Sequence, residues 1–393
     1  MGAIAHLGDA ERRARLVARH RLARTADDPL TAVRSVVALH SSDPITPYLG
    51  AWARVRGFVT ADLDRALVTD RSLWRLHAMR RTLFVVPADE ASIFDAAAAR
   101  DIASKERRRV EAWVAPALGK KRSPPRWMAD LEARVLERLQ DAEQKTQDLV
   151  SAIPELGTEI TLGSGKWATR APIASRLLFL MAMDGRVVRT RASGSWRSSQ
   201  YHWAATARWF AGPRPAMDAA HARGELLRRY LATHGPATET DVRWWTGWTA
   251  KQTSAAAVTI DARTVRLDGG VDGWVSAEDD ALATKLEPHV ALLPGLDPAP
   301  MGWKERGWFL GPHGARLFDS NGNVGPTIWL DGRIVGGWAS RPDATIVCHL
   351  LEDVGRSGVR RIEREAEALT TWMGGVSVVP RFRTPLEREL AER

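Results

Sequence analysis

The apolar residues of this 393-residue chain change period near residue 267, and that change restricts the folds open to it. Up to that point they recur at helical spacing in short segments, and the segments come in groups that close on a strand pair. The first group places helices at 9–24, 29–39, 44–55 and 60–68, strands within 73–87, and a long helix over 88–114. The second places helices at 128–141, 145–153 and 172–184 before the hairpin-like stretch GRVVRTRASGSWRSSQYHWA. In the third, across 219–265, Thr238 or Thr240 caps one helix, Gly247 ends it, and another begins near Thr249. Helices followed by a strand pair are the order of a winged helix, although helix-turn-helix spacing alone has low specificity. Beyond residue 267, runs such as HVALLPGL, TIWLDGRIVGGWAS and ATIVCHL read as strands. Asn321-Gly322 and Asp331-Gly332 read as hairpin turns, and a last helix covers 359–372. The expectation is an α+β chain with three tandem winged-helix units (1–118, 119–217 and 218–275) and a β-rich C-terminal module (276–393). A basic linker is expected at 119–126, and no clean sequence repeat ties the units together.

Inside the first unit, Val33, Val36, Val37 and Leu39 share one side of a helical wheel, with Asp28 as N-cap and Pro29 at the first position. The run stops on His40-Ser41-Ser42-Asp43-Pro44, which predicts a helix ending near His40. Pro44 disfavours helical geometry at Asp43, and Ser42 or Asp43 can cap a following helix that carries Tyr48, Leu49, Trp52 and Val55. An imidazole, two hydroxyls and a carboxylate therefore share one corner. Two readings of it stand side by side. Asp43 is a cap and His40 a helix-end imidazole favoured by the macrodipole; or His40 and Asp43 position or deprotonate a water, with Ser42 as relay.

The net charge of +9 favours a polyanionic partner, nucleic acid first. Arginine far outnumbers lysine, and its guanidinium is the better fork for phosphate and guanine. The candidate DNA-binding residues are Arg54, Arg80, Arg81, Arg189, Arg191, Trp196, Arg197 and Arg306. Trp196 lies near the tip of the basic hairpin, an arrangement that suits groove insertion; the alternative is a solvated wing with one packed indole. Seventeen tryptophans against three tyrosines and eight phenylalanines allow base stacking, with most of the indoles expected in the core. Cys348 is the one cysteine, which excludes an intramolecular disulfide and a cysteine-based zinc cluster. Asp297, Glu305 and Asp319 form no metal motif and are read as turn residues and partners of Arg306, so neither metal nor cofactor is expected. The N-terminus has no uninterrupted apolar core of a signal peptide, and no 18-residue apolar run occurs, so a cytoplasmic protein without membrane association is expected.

The stretches ALHSSDPITPYLGAWARV, MRRTLFVVP, HGPATETDVRWWTG, LLPGLDPAPMGWKERGWFL and NGNVGPTIWLDGRIVGGW together resemble the bacterial winged helix DNA-binding domain-containing proteins of the AlkZ/YcaQ type. The resemblance covers most of the chain. It implies three winged helices and a β-rich part arranged as a cup around double-stranded DNA. It also implies monofunctional glycosylase activity on N7-alkylated purines and bulky or crosslinking adducts, without metal or cofactor. A monomer is expected, since no dimerisation coiled coil is evident. The family's catalytic triplet, Gln-x-Gln or Gln-x-Asp, falls on His40 and Ser42 here, with Asp43 directly after. A His-x-Ser triplet hydrogen-bonds and also titrates near neutral pH. His40 is then the residue that places a water and Asp43 the one that stabilises an electron-poor sugar. A non-catalytic regulator with a structural corner is the alternative, which would bring a palindromic site and dimerisation.

Overall fold

The computed structural model describes residues 4–120, 122–163, 165, 168–210, 215–279 and 288–392, so Lys121 of the expected linker lies outside the described residues. In a mixed α+β chain the order helix, strand, helix, helix, strand, strand occurs in a first group, recurs in a second around an inserted hairpin, and recurs in a third with a single β-bridge in place of the first strand. In the first group the helices are Pro29–Arg34, Thr46–Trp52 and Thr60–Asp64, the last continued by a widened turn at Arg65–Thr69. Its strands Leu39–His40, Leu73–His77 and Leu83–Pro87 pair antiparallel, with the third strand between the other two.

The helix expected over 29–39 is shorter than its apolar pattern. Asp28 caps it as expected, accepting the Thr31 N–H at 2.8 Å, but it ends at Arg34. Val37 then takes a left-handed backbone at φ 65, which a β-branched residue enters only where the chain must turn. Leu39 and His40 leave that turn as a strand, opposite Val85 and Phe84. The valines and Leu39 are buried all the same, so the apolar pattern marks a buried side of the chain without a helix running its full length.

The second group uses helices Pro124–Arg138, Thr146–Ala152 and Ala174–Met183 with strands Gln144–Lys145, Val187–Ala192 and Tyr201–Ala205 in the same sheet order. A hairpin of Glu159–Leu162 and Thr169–Pro172 lies between its second and third helices. The third group has helices Ala219–His234, Glu239–Thr246 and Ala250–Thr259 and strands Arg263–Leu267 and Asp272–Val275. Ala237 bridges Trp274 in the place of its first strand, and His6–Leu7 adds a parallel edge. Thr238 accepts the Asp241 N–H at 3.1 Å and Gly247 closes the helix at φ 76, both as the sequence predicts.

Four antiparallel strands, Val290–Leu293, Thr327–Leu330, Arg333–Ser340 and Ile346–Leu350, form the C-terminal sheet, followed by helices Gly355–Met373 and Pro385–Glu392. Asp331 and Gly332, at φ 49 and 82, make the two-residue turn expected of them. Trp303, Trp329 and Trp338 are among the largest fully buried side chains, which accounts for much of the tryptophan excess by core filling.

One apolar core joins the first group, the third group and the C-terminal sheet; the second group has a core of its own, sealed by Val110 and Val114 of the helix Arg100–Leu118. The weld between the first group and the C-terminal part is polar as well as apolar. Thr46 donates to the Gly295 carbonyl at 2.8 Å, and Arg54 meets Asp297 through paired 2.8 Å bonds with both side chains fully buried.

Candidate active site and DNA-facing residues

The short strand Leu39–His40 fixes the corner, because its pairing with Leu83–Pro87 continues through a 2.8 Å bond from the Ser41 N–H to the Leu83 carbonyl. His40 is half-buried, edge-on to Phe84 at 5.5 Å, and its Nδ1 accepts the Ser42 N–H at 3.3 Å. That bond leaves Nε2 as the protonated nitrogen, with no hydrogen bond to any described residue. Burial, and after it the charge of Arg80, pushes the imidazole down to about 3. His40 is therefore a neutral N–H donor across the physiological range, in place of the near-neutral titration the sequence suggested.

Asp43 is buried and does more than cap. One carboxylate oxygen accepts the Ile45 N–H at 3.2 Å, and the other accepts the N–H of Arg381, from the chain leading to the last helix, at 2.8 Å. Burial raises its pKa, while the two N–H bonds and the Arg381 charge oppose that shift. Arg381 also reaches the Ser42 carbonyl at 3.4 Å. The Ser42 link to His40 runs through the backbone, so the expected hydroxyl relay has no hydrogen bond behind it among the described residues, and none joins His40 to Asp43.

The candidate cations fall into different classes. Arg80 is exposed at the tip between Leu73–His77 and Leu83–Pro87, and its guanidinium stacks over Trp244 at 4.6 Å. Arg306 stacks on the same ring, also at 4.6 Å. Arg81 is exposed but paired with Glu106 at 2.8 Å. Arg54 requires correction: its side chain is wholly enclosed by Asp297 and the Gly50 carbonyl, so it is a structural cation and not a DNA contact. Arg189 is half-buried over Trp203 at 4.5 Å, with its pKa pushed down to about 10 by burial.

The second group's hairpin is likewise held to the body of the protein. Arg191 is exposed and reaches Glu143 at 3.4 Å, Arg197 donates to the Ser377 carbonyl at 2.8 Å, and Trp196 packs 5.5 Å from Tyr48 and 5.9 Å from Trp372. Trp196 is thus the packed indole of the two readings offered for it, while a cleft of about 540 Å³ beside it is lined by Asp62, Asp64, Arg65 and Arg191. Of the three acids set aside as turn residues, Asp319 holds the Asn321 and Asn323 N–H groups at 2.8 Å. Asp297 pairs with Arg54 and Glu305 accepts from Thr238 at 3.2 Å, so the expected pairing with Arg306 does not occur. Among the described residues no cluster of three or more histidine, cysteine or acidic side chains could hold a metal, and no helix is long and apolar enough to cross a membrane.

Two residues that carry no local signal in the sequence matter here: Arg381 at the corner and Trp244 beneath Arg80. Arg381 comes from the far end of the chain and carried no local signal. Trp244 meets both guanidiniums only because the third group docks beside the first.

The family model described as DNA glycosylase AlkZ-like matches residues 33–372, and the chain belongs to the AlkZ-like DNA glycosylases. It is accordingly a DNA-binding hydrolase of DNA repair. Among solved structures, the DNA glycosylase AlkZ of Streptomyces sahachiroi is similar with a TM-score of 0.71 at 19% identity, over 95% of this chain and 99% of that one. At that identity the likeness is one of fold. No curated protein matches the sequence.

Proposed function

We propose that this chain, acting as a monomer, hydrolyses the N-glycosidic bond of N7-alkylated or bulky, crosslink-forming purines in double-stranded DNA, with His40 at the reaction centre. The observation that carries the reading is a neutral imidazole whose Nε2–H is unclaimed, held in the field of Arg80 at a corner whose Ser42 carbonyl accepts from Arg381. The repeated helix-strand-helix-helix-strand-strand order supports three tandem winged-helix units within 1–118, 119–217 and 218–275, followed by the β-rich module 276–393.

An N7-alkylpurine is cationic and leaves readily. As the C1′–N9 bond breaks, its electron pair moves into the purine and cancels that charge, and the sugar becomes electron-poor. Water attacks C1′ and releases its proton to bulk solvent, leaving an abasic site and the free neutral base. His40 does not take that proton at Nδ1, which already accepts from Ser42. It donates from Nε2 and holds the water oxygen in line, the service an amide side chain would give. Asp43 supplies negative potential behind the corner when ionised; burial raises its pKa, and two N–H donors and Arg381 limit that rise.

The test is release of base from duplex carrying a single N7-methylguanine. His40→Ala should lose about a hundredfold in rate, as removal of one preorganised donor does. His40→Gln, which keeps a neutral N–H donor, should restore most of it. Between pH 6 and 8 the rate should be flat, because His40 titrates far below that range at about 3. Full activity in His40→Ala, or a titration near pH 6.5 that disappears in that variant, would remove His40 from this role. Retained binding with no base release would favour a non-catalytic binder.

A further inference from the structure

The tip of the first group and the third group meet around one indole. Arg80 and Arg306 each hold the guanidinium carbon 4.6 Å from the centre of the Trp244 ring, and Arg306 also lies over Phe318 at 4.7 Å. Among the described residues neither guanidinium has a carboxylate at ion-pair distance; Arg306 donates to the Trp303 carbonyl at 2.6 Å, and Arg80 makes no hydrogen bond. The nearby Asp241 carboxylate is fully buried and accepts from the Thr238, Lys304 and Glu305 N–H groups at 3.1, 2.9 and 2.9 Å. Burial and the charge of Arg80 push Arg306 down to about 10. Arg81, next in the chain, is neutralised by Glu106, whereas the two guanidiniums that share the indole are not.

The backbone adds a second, independent sign. Arg80 and Arg81 both take left-handed conformations, φ 54 and 64, in a tip that contains no glycine. Such geometry costs a non-glycine residue energy and persists where surrounding structure imposes it, often at ligand clamps. Opposite it, Gly247 leaves the space that Arg80 uses: a Cβ there would lie 3.3 Å from the Arg80 Cγ.

We propose that Arg80, Arg306 and the Trp244 indole form a seat for one backbone phosphate of the substrate strand, setting that strand's register against the His40–Ser42 corner. This rests on the reading of duplex DNA as substrate. A phosphodiester supplies the missing negative charge and two oxygens, one for each guanidinium fork. The indole stiffens both forks by cation–π contact, so little side-chain freedom is left to lose on binding. A fixed phosphate positions the strand without reading its sequence, so the nucleotide to be cut is selected by its distance from the seat.

The experiment uses the full chain and a labelled duplex with one N7-methylguanine, in which each phosphate near the lesion is replaced in turn by a neutral methylphosphonate. One position should weaken binding roughly eightfold at 0.1 M salt, since each neutralised phosphate releases about 0.9 of a counterion. With Arg80→Gly that position should make a smaller difference, and with Arg80→Gly and Arg306→Leu combined it should make none, the log–log salt slope then falling by about 0.9. Arg306→Leu should behave alike. Glycine accepts the backbone of residue 80, so Arg80→Gly should melt no lower than the parent, which separates lost contact from lost fold. The seat is refuted if both variants keep the parent's affinity and salt slope, or if every methylphosphonate weakens variant and parent equally. Base release is scored separately: coupling without release supports the seat and refutes N7-methylguanine as the substrate, whereas release without coupling refutes the seat.

Discussion

Removing Asp297 should be among the most damaging single changes in the protein. Arg54 and Asp297 are each fully enclosed and meet through two 2.8 Å bonds, while the carboxylate also receives the Ala299 N–H at 2.9 Å. Asp297→Leu strands a guanidinium that keeps only the Gly50 carbonyl, at 2.9 Å, and already has an unpartnered Nε. Breaking a buried pair in this way costs about 3–5 kcal/mol, against a total stability of roughly 5–15 kcal/mol for a typical domain. Replacing both residues, as Arg54→Met with Asp297→Leu, removes the uncompensated charge. The remaining loss is chiefly one orphaned backbone donor, about 1–3 kcal/mol. The double variant should thus be more stable than Asp297→Leu alone. Urea unfolding of the parent, both single variants and the double variant measures this as a coupling energy. Additive single effects would refute the account of the pair. The same proteins decide the correction made for Arg54: if it is structural, the double variant binds DNA with the parent's salt slope, and a slope reduced by about 0.9 would return Arg54 to the interface.

The weld between the third group and the C-terminal part should be acid-labile, because buried His234 packs 4.9 Å from Trp303 and 4.6 Å from buried His20, and burial lowers both imidazole pKa values, that of His234 to about 3. Unfolded, His234 takes up a proton below about 6.5 while the folded protein resists, so stability is lost as pH falls; by pH 5 this group alone removes about 2 kcal/mol. Comparing urea midpoints at pH 7 and 5 for the parent and His234→Gln checks it, and an equal drop in both would count against the assignment. Trp196→Ala should cost about 1–2 kcal/mol through lost packing on Tyr48 and Trp372 and leave the salt slope of DNA binding unchanged. A loss of DNA affinity without a loss of stability would show that the indole meets DNA after all.

How legible the fold was varied with how local its causes are. Caps and turns needed only neighbours in sequence, and Asp28, Thr238, Gly247 and Asp331-Gly332 all form where the residue types predicted them. The segment 29–39 shows the opposite case. Its apolar residues satisfy a helical wheel and are buried, yet the last two are drawn into a strand because Leu83–Pro87 offers a pairing edge. The corner at His40 was visible as a break in pattern, but its chemistry was not. Which nitrogen carries the proton follows from the Ser42 N–H, and the neutral state follows from burial and Arg80.

Sequence by itself determined the run of helical groups, the β-rich end, the basic character, and the corner as a place to look, because periodicity, turn chemistry and net charge are properties of neighbouring residues and sums. Tertiary structure decided which arginines are free. A guanidinium is the same group in Arg54, Arg81 and Arg80. Only the arrival of Asp297 from the C-terminal part and Glu106 from the long helix, with no acid at Arg80, makes the first a buried strut, the second a surface pair and the third an unneutralised charge beside the corner. Charge availability depends on contacts distant in sequence, and those exist only once the groups have docked.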